Sequence, residues 1–311
     1  MNLATITMLG QTALELGLIG SLTTLSTFLS YAMLNVCDLA ADGVFTLGAT
    51  VGASVVLSGH PWLSILAAMF AGMTAGLVNA LLQTRMGIDS LLSGIIVNTA
   101  LYSINIAVMG GSSLLNMNKS VTVFTMMKDL IADTPLAGWQ TILIALIAAA
   151  LIIIFLSIFL KTRLGLAIRA TGNNPDMVKA SSVDPRMTIT VGLVIANAFT
   201  GLSGALMAQS QKSVNINIGT GMMTIALASL LIGQTFFGKG RIPVQAIGAV
   251  VGSIIFRVVY TIALRLNLPA YMLKFISAVI VVIAISGPYF KKNWPNIKRR
   301  WSVSSHAGKE A

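Results

Sequence analysis

The chain has 311 residues, 56% of them hydrophobic and only 9% charged, with a mean hydropathy of +0.86. That composition belongs in a bilayer, and it makes the net charge of +11 a signal of topology and of attraction to anionic inner-leaflet lipid rather than of nucleic-acid binding. One cysteine, Cys37, excludes an intrachain disulfide or a cysteine metal cage, and two separated histidines, His60 and His306, form no paired-ligand motif.

In chain order, residues 1–11 read as an interfacial lead-in, with no basic segment or cleavage site of a signal peptide. Nine apolar stretches follow, near 12–35, 43–59, 61–83, 88–110, 139–160, 187–210, 220–237, 243–265 and 270–288. A span needs about 20 apolar residues. The second and seventh stretches are short and carry glycines, so either is a broken or re-entrant helix. The fold class is therefore an all-α polytopic membrane protein with eight to ten transmembrane helices. Residues 1–290 form a single transmembrane domain, and 291–311 a basic cytoplasmic tail.

Orientation follows from where lysine and arginine fall. Arg85, the group Lys161, Arg163, Arg169, Lys179 and Arg186, the pair Lys239 and Arg241, and the tail lysines and arginines all thread to one side. That side is the cytoplasm, which puts the amino end outside and the carboxyl end inside. The loop from Gly111 to Gly138 then lies outside. Within it, Val121 to Ile131 is amphipathic, with Phe124, Met127 and Leu130 at helical spacing; it is either a lid or docking helix, or a helix that lies on the membrane and seals the bundle.

The longest polar interruption is the loop 161–186, between two apolar spans. Its second half has helix signals: Asn174 as the cap, Pro175 in the first turn, and Asp176 near the positive helix end. This short helix should run to about Ser182, where Val183-Asp184-Pro185 ends it. A helix of that length is not stable alone in water, so a partner or the bundle must hold it. A docking surface for another protein is the reading that follows.

Farther on, Gly233 to Gly240 approximates a phosphate-binding G-x-x-x-x-G-K-[ST] loop. It lacks the final hydroxyl and the preceding buried strand, so it reads as a glycine-rich turn. Asp38 and Asp42 are a close acidic pair, too little for a magnesium-dependent transferase. No acid, base and nucleophile set stands at workable spacing for a membrane enzyme.

Two segments echo each other: Pro61 through Gly72 and Gly76 to Arg85, and Pro243 through Gly248 and Gly252 to Arg265. By the charge rule they cross in opposite directions, as an inverted repeat would, which would put a pathway near the short helices that begin at Asp42 and Gly219. The other reading is that both use a small-x-x-x-small packing face. Polar residues on apolar spans are the candidates for lining a path or joining helices: Asn98, Asn105, Asn197, Gln209 and Arg257. Asp42 and Phe45, on the first short helix, join them, with Phe45 as a gate. Arg257 has no acidic residue in its own span and needs Asp38, Asp42, Asp89, a carbonyl or an anionic ligand.

Thr162-Arg-Leu-Gly165, Arg169-Ala170, Gly172-Asn173 and Ala180, followed by Thr200-Gly-Leu-Ser-Gly204, resemble the coupling loop and next helix of ABC importer permeases of the ribose and branched-chain amino acid type. Gly219-Thr-Gly221, Gly238-Lys-Gly240-Arg and Asp38-Leu-Ala-Ala-Asp-Gly43 are similar to further segments of that family, although Ala40 stands where a serine is usual. The resemblance runs from about residue 12 to 288 and is nearest to a subgroup linked with aromatic amino acids. It implies a cytoplasmic ABC ATPase that carries the ATP and magnesium, no cofactor on this chain, an extracytoplasmic substrate-binding protein, and a second permease copy, all at a bacterial inner membrane. Gly172, Asn173, Asn174, Pro175, Asp176, Lys179 and Ala180 would couple to the ATPase. The rival is a gradient-driven secondary transporter with inverted repeats. It accounts for the echo but not for a docking helix.

Overall fold

The computed structural model describes residues 3–131, 138–238 and 240–264, together with positions 275, 278, 279, 281, 282 and 286. Helix α1 (Leu3–Thr27) continues through a π-helical turn (Phe28–Met33). After a bend come α2 (Ala41–Leu57), α3 (Pro61–Thr84) and α4 (Ser90–Val108), then a short strand β1 (Leu114–Asn116) and α5 (Val123–Ile131). Next are α6 (Gln140–Phe159), α7 (Arg163–Asn173), α8 (Pro175–Ala180) and α9 (Pro185–Gln211). Strand β2 (Ser213–Asn215), α10 (Met222–Phe237) and α11 (Ile242–Leu264) complete the described chain.

Six of these helices are long and apolar enough to cross a membrane, and α2 and α10 are shorter apolar helices. Eight of the nine expected apolar stretches are thus helices among the described residues, and the ninth, 270–288, lies largely outside them. Helix α1 begins at Leu3, so most of the segment expected as a lead-in, 1–11, is helical and continuous with the first candidate span, Met8–Met33. The π-helical turn before Leu34 sits where the chain must leave the helix and double back into α2.

Capping residues set the other boundaries. Asp89 accepts from the Leu91 amide and Asp184 from the Arg186 amide, both at 2.9 Å, while Pro61 and Pro185 open α3 and α9. Helices α1, α2 and α9 form the core. The outer helices α3, α4 and α6 turn apolar faces outward through Phe70, Ile95, Ile96, Leu151 and Ile154, as helices in contact with hydrocarbon must.

The bundle has two ends. At one, α7 and α8 pack near the end of the π-helical turn: a side chain at Gly172 would collide with the Met33 carbonyl oxygen. Arg85, Asp184 and Arg186 line a shared pocket at this end. At the other, β1 and β2 pair antiparallel, with Leu115 opposite Val214, and Gln209 holds the start of α5 by accepting from the Val123 amide at 2.9 Å. This small ribbon is the one departure from the all-α expectation among the described residues. The ladder is extended at each end by backbone bonds, from the Met117 amide to the Lys212 carbonyl and from the Ile216 amide to the Ser113 carbonyl.

The two short helices both start inside the bundle and run to opposite ends. Helix α2 packs on α9 so closely that Gly48 meets the Gly201 backbone, and α10 packs on α11 with Gly233 against the Gly248 carbonyl. Helix α3 lies against α9, and α11 against α1. The pairing of α3 with α9 and of α11 with α1 is compatible with an inverted repeat. The echoing glycines, however, meet different neighbours. Gly72 and Gly76 face Asn197 of α9, whereas Gly248 and Gly252 face α10. At those four positions the pattern serves close helix packing.

Candidate translocation site

The starts of the two short helices are tied together by one carboxylate. Asp42, in the first turn of α2, accepts from the Gly221 amide at 2.8 Å and the Met223 amide at 2.7 Å. Gly221 precedes α10 with φ +84°, a conformation glycine adopts without strain. The negative side chain thereby satisfies donors at the positive end of α10, where no water is needed to do so. Gly219 lies against the Asp42 carbonyl, and a larger residue there would not fit.

Beside this junction lies a cavity of about 390 Å³ between α2, α4 and the segment that enters α10. Its wall is polar: Asp42, Thr46, Asn98, Thr99, Tyr102 and Ser103 contribute, with Asn105, Asn217 and Thr220 completing it. On α4 the four residues Asn98, Thr99, Tyr102 and Ser103 form one stripe at spacings of one, four and five, and Tyr102 is 51% exposed. A polar stripe on the outside of an apolar helix is costly against lipid and suits a water-filled path or a second protein surface. Asn105 donates to the Gly43 carbonyl at 3.3 Å, and its own carbonyl oxygen, buried, has no partner.

A second cavity, about 180 Å³, opens on the other side of the junction between α1, α2, α9, α10 and α11. Phe45 and Arg257 both line it, and Thr220 borders both cavities. Of the expected path residues, the fold therefore gathers Asp42, Phe45, Asn98 and Arg257 around one junction.

Asn197 stands apart from both cavities. It is fully buried and donates to the Asp38 carboxylate at 2.7 Å, which also accepts from Asn79 at 2.8 Å and from the Ala40 amide at 3.0 Å. Ser93 of α4 donates in turn to Asn79. One carboxylate thus joins the bend before α2 to α3, α4 and α9. The closeness of Asp38 to Asp42 concealed this division of labour in the sequence: one residue locks helices and the other caps one. Gln209 likewise joins helices, donating to the Ser64 hydroxyl at 2.7 Å.

At the opposite end of the bundle from the ribbon, Asn174 caps α8 by accepting from the Asp176 and Met177 amides, both at 3.1 Å. The helix ends at Ala180, two residues before the expected stop, because Ser182 takes a left-handed conformation at φ +60°. Val178 anchors it, while Asn173, Asn174, Pro175, Asp176, Met177, Lys179 and Ala180 are exposed and Gly172 packs on the bundle. Helix α7 was not anticipated. Its signals were Thr162, whose hydroxyl accepts from the Gly165 amide at 3.2 Å, and the buried positions Gly165, Ile168 and Thr171 at helical spacing. Thr171 bonds Thr188 of α9 at 2.8 Å, which fixes the loop 161–186 to the next span.

Residues 11–285 match the family described as the permease component of a branched-chain amino acid transport system. The chain is 33% identical over 266 residues to a tyrosine transport system permease protein of Clostridioides difficile, covering 85% of this chain and 86% of that one. It is 26% identical over 237 residues to a nucleoside ABC transporter permease protein of Lactococcus lactis, covering 71% of each. A D-allose transport system permease protein of Escherichia coli shows 26% identity over 218 residues, covering 69% of this chain and 64% of that one. No solved structure matches the chain. The reach of the family match, from the third turn of α1 to beyond α11, takes in both short helices, both cavities and α8: this chain belongs to the branched-chain amino acid transport system permease family.

Proposed function

We propose that this chain is the membrane-spanning subunit of an ATP-driven importer in a bacterial inner membrane, with ATP and magnesium held by a separate ABC ATPase. The observation that carries the proposal is α8: a six-residue helix, capped by Asn174 and anchored through Val178, that presents Met177 at 68% exposure beyond the end of the bundle. An exposed apolar residue on a pre-capped helix is what a groove on a partner takes up. Gly172 is pressed against the end of the π-helical turn that continues α1, and the Thr171–Thr188 bond ties the loop to α9, so a pull on α8 reaches two core helices. Residues 172–180 are the coupling surface in this reading.

Solute enters from the ribbon end, where a substrate-binding protein docks on the loop that holds β1 and α5. It passes beside the Asp42 junction. The polar stripe on α4 faces out of the chain, so a second copy completes the path, and the functional unit is a dimer of permeases. The basic residues at the α8 end support a cytoplasmic position for that end.

The test is to purify the tagged chain in mild detergent from its own host and identify what accompanies it. A co-purifying ATPase that is lost when residues 172–180 are altered supports the reading. Transport by the chain alone in ATP-free liposomes would replace it with a gradient-driven carrier.

A further inference from the structure

We propose that the pocket where α3 ends and α9 begins, lined by Arg85 and Arg186, holds the phosphodiester headgroup of an anionic phospholipid whose acyl chains lie along the outer face of α3. The inference needs only the membrane-spanning fold and stands apart from the ATPase reading. It begins from where the two arginines fall. The apolar span of α3 runs from Pro61 to Thr84, and that of α9 from Pro185 to Gln211. Arg85 is thus the first residue past one span and Arg186 the second residue of the other, which sets both at a membrane boundary, where lipid phosphates lie. Their side chains line one pocket of about 200 Å³, and both residues are exposed.

The pocket suits a singly charged anion. Thr84 and Thr190 lie 3.5 Å apart in its wall, where α3 and α9 touch, and each hydroxyl already donates to a carbonyl of its own helix, Ala80 at 2.7 Å and Arg186 at 2.8 Å. The side-chain donors left for a ligand are the two guanidiniums, whose planar forks match phosphate oxygens. Asp184 also borders the pocket and accepts from the Arg186 amide at 2.9 Å. Two arginines and one carboxylate leave one positive charge in excess, which a phosphodiester balances and a doubly charged phosphate would overshoot.

An apolar track leading into the pocket sets it apart from a solvated basic turn. Phe70, Leu77 and Leu81 are exposed on α3 and precede Arg85 by fifteen, eight and four residues, which puts all four on one face of the helix. At 1.5 Å per residue the track is about 22 Å long, enough to accompany an acyl chain through the roughly 15 Å of hydrocarbon in one leaflet. Exposed Met187 of α9 flanks the headgroup position from the other side. An acidic protein surface would meet the arginines but has no use for a track that runs into hydrocarbon, and the second copy is assigned to the polar stripe on α4.

The experiment uses the purified full chain in phosphatidylcholine nanodiscs that contain phosphatidylglycerol with a photoreactive group on its acyl chain, and peptide mass spectrometry locates the cross-links. The expected result is labelling of the peptides that span 70–85 and 185–191, reduced by added unlabelled phosphatidylglycerol but not by an equal addition of phosphatidylethanolamine or by inorganic phosphate. Arg85→Gln and Arg186→Gln should each lower that labelling roughly 5-fold and together roughly 25-fold, while Arg163→Gln with Arg169→Gln leaves it unchanged. Arg85→Lys with Arg186→Lys keeps the topology-setting charge without the forks and should label to an intermediate extent. Labelling of the native chain spread evenly over the basic segments of this end, as arginines that only set topology would give, overturns the inference. So does equal competition by phosphatidylethanolamine or by inorganic phosphate, and so does loss of the label when a co-purifying ATPase is bound, which would assign the pocket to a protein surface. None of these outcomes decides whether transport is ATP-driven.

Discussion

The Asp42 carboxylate, in the first turn of one short helix, accepts the backbone amide of Met223, in the first turn of the other, at 2.7 Å across 181 residues of sequence. The bond makes the starts of α2 and α10 a single unit, with one cavity on each side. Anything that separates the two helices must first break it. Thr220 lines both cavities.

Asp42→Ala should therefore lower the thermal midpoint of the detergent-purified chain, because the Gly221 and Met223 amides lose their acceptor at about 1–3 kcal/mol for each buried donor. Asp42→Asn keeps one acceptor oxygen but loses the charge at the helix start, so its midpoint should fall between those of Asp42→Ala and the native chain. Identical midpoints for all three proteins would show that the junction does not hold the bundle together.

The contact between α2 and α9 predicts an asymmetry between glycines. Gly204→Ala drives a methyl group into the Phe45 carbonyl and Gly48→Ala drives one into the Gly201 backbone, so each should cost about 1–3 kcal/mol and reduce the amount of protein in the membrane. Gly10→Ala in α1 meets nothing within 4 Å and should be neutral, or stabilising by about 0.5–1 kcal/mol. Thermal melts of the three variants check the contrast.

Much of this arrangement is visible in the residues before any coordinates. Apolar length places eight helices, and the glycines and shortness of 43–59 and 220–237 single out the two that start inside the bundle. Asn174 followed by Pro175 and Asp176 marks α8 almost to the residue, because capping is local chemistry. What depends on long-range geometry is not legible. Asp38 and Asp42 are four residues apart and look like one motif, yet the bend before α2 sends the first to Asn79 and Asn197 and the second to α10. The small ribbon joins segments about a hundred residues apart, and three-residue strands leave no periodicity to read. Arg257 stands out in sequence because no acid accompanies it in its span, but only the fold shows which wall it shares with Phe45.

Asp38 should be less tolerant of change than Asp42. Replacing it with alanine strands the amides of Asn79 and Asn197 in a buried site, at a cost on the order of 3 kcal/mol or more, given about 1.5–3 kcal/mol for each hydrogen bond to a charged group. Asp38→Ala is expected to fail to accumulate. Because Asn79 and Asn197 share one carboxylate, Asn79→Ala and Asn197→Ala should be non-additive in a double-mutant cycle, with a coupling of about 0.5–3 kcal/mol. Strict additivity would mean that the two amides do not act through Asp38.

The exposed face of α8 allows coupling to be separated from stability. Asp176 is 89% exposed at its side chain, and its ion pair with Lys179 at 3.2 Å is worth about 0–1 kcal/mol, while Ala180 has no neighbour to collide with on its outer side. Asp176→Ala and Ala180→Trp should thus leave the thermal midpoint within about 1 °C of the native value, since ΔΔG near zero moves it little. Both should reduce solute uptake per ATP hydrolysed in the intact transporter. Asn174→Ala is the contrasting case: it removes the oxygen that accepts from the Asp176 and Met177 amides, costs about 1 kcal/mol, and frays the helix itself. Its loss of uptake should be partly restored by Asn174→Ser, which can cap, whereas the losses in Asp176→Ala and Ala180→Trp have no capping remedy. Normal uptake per ATP in all three would mean that the ATPase grips the chain elsewhere.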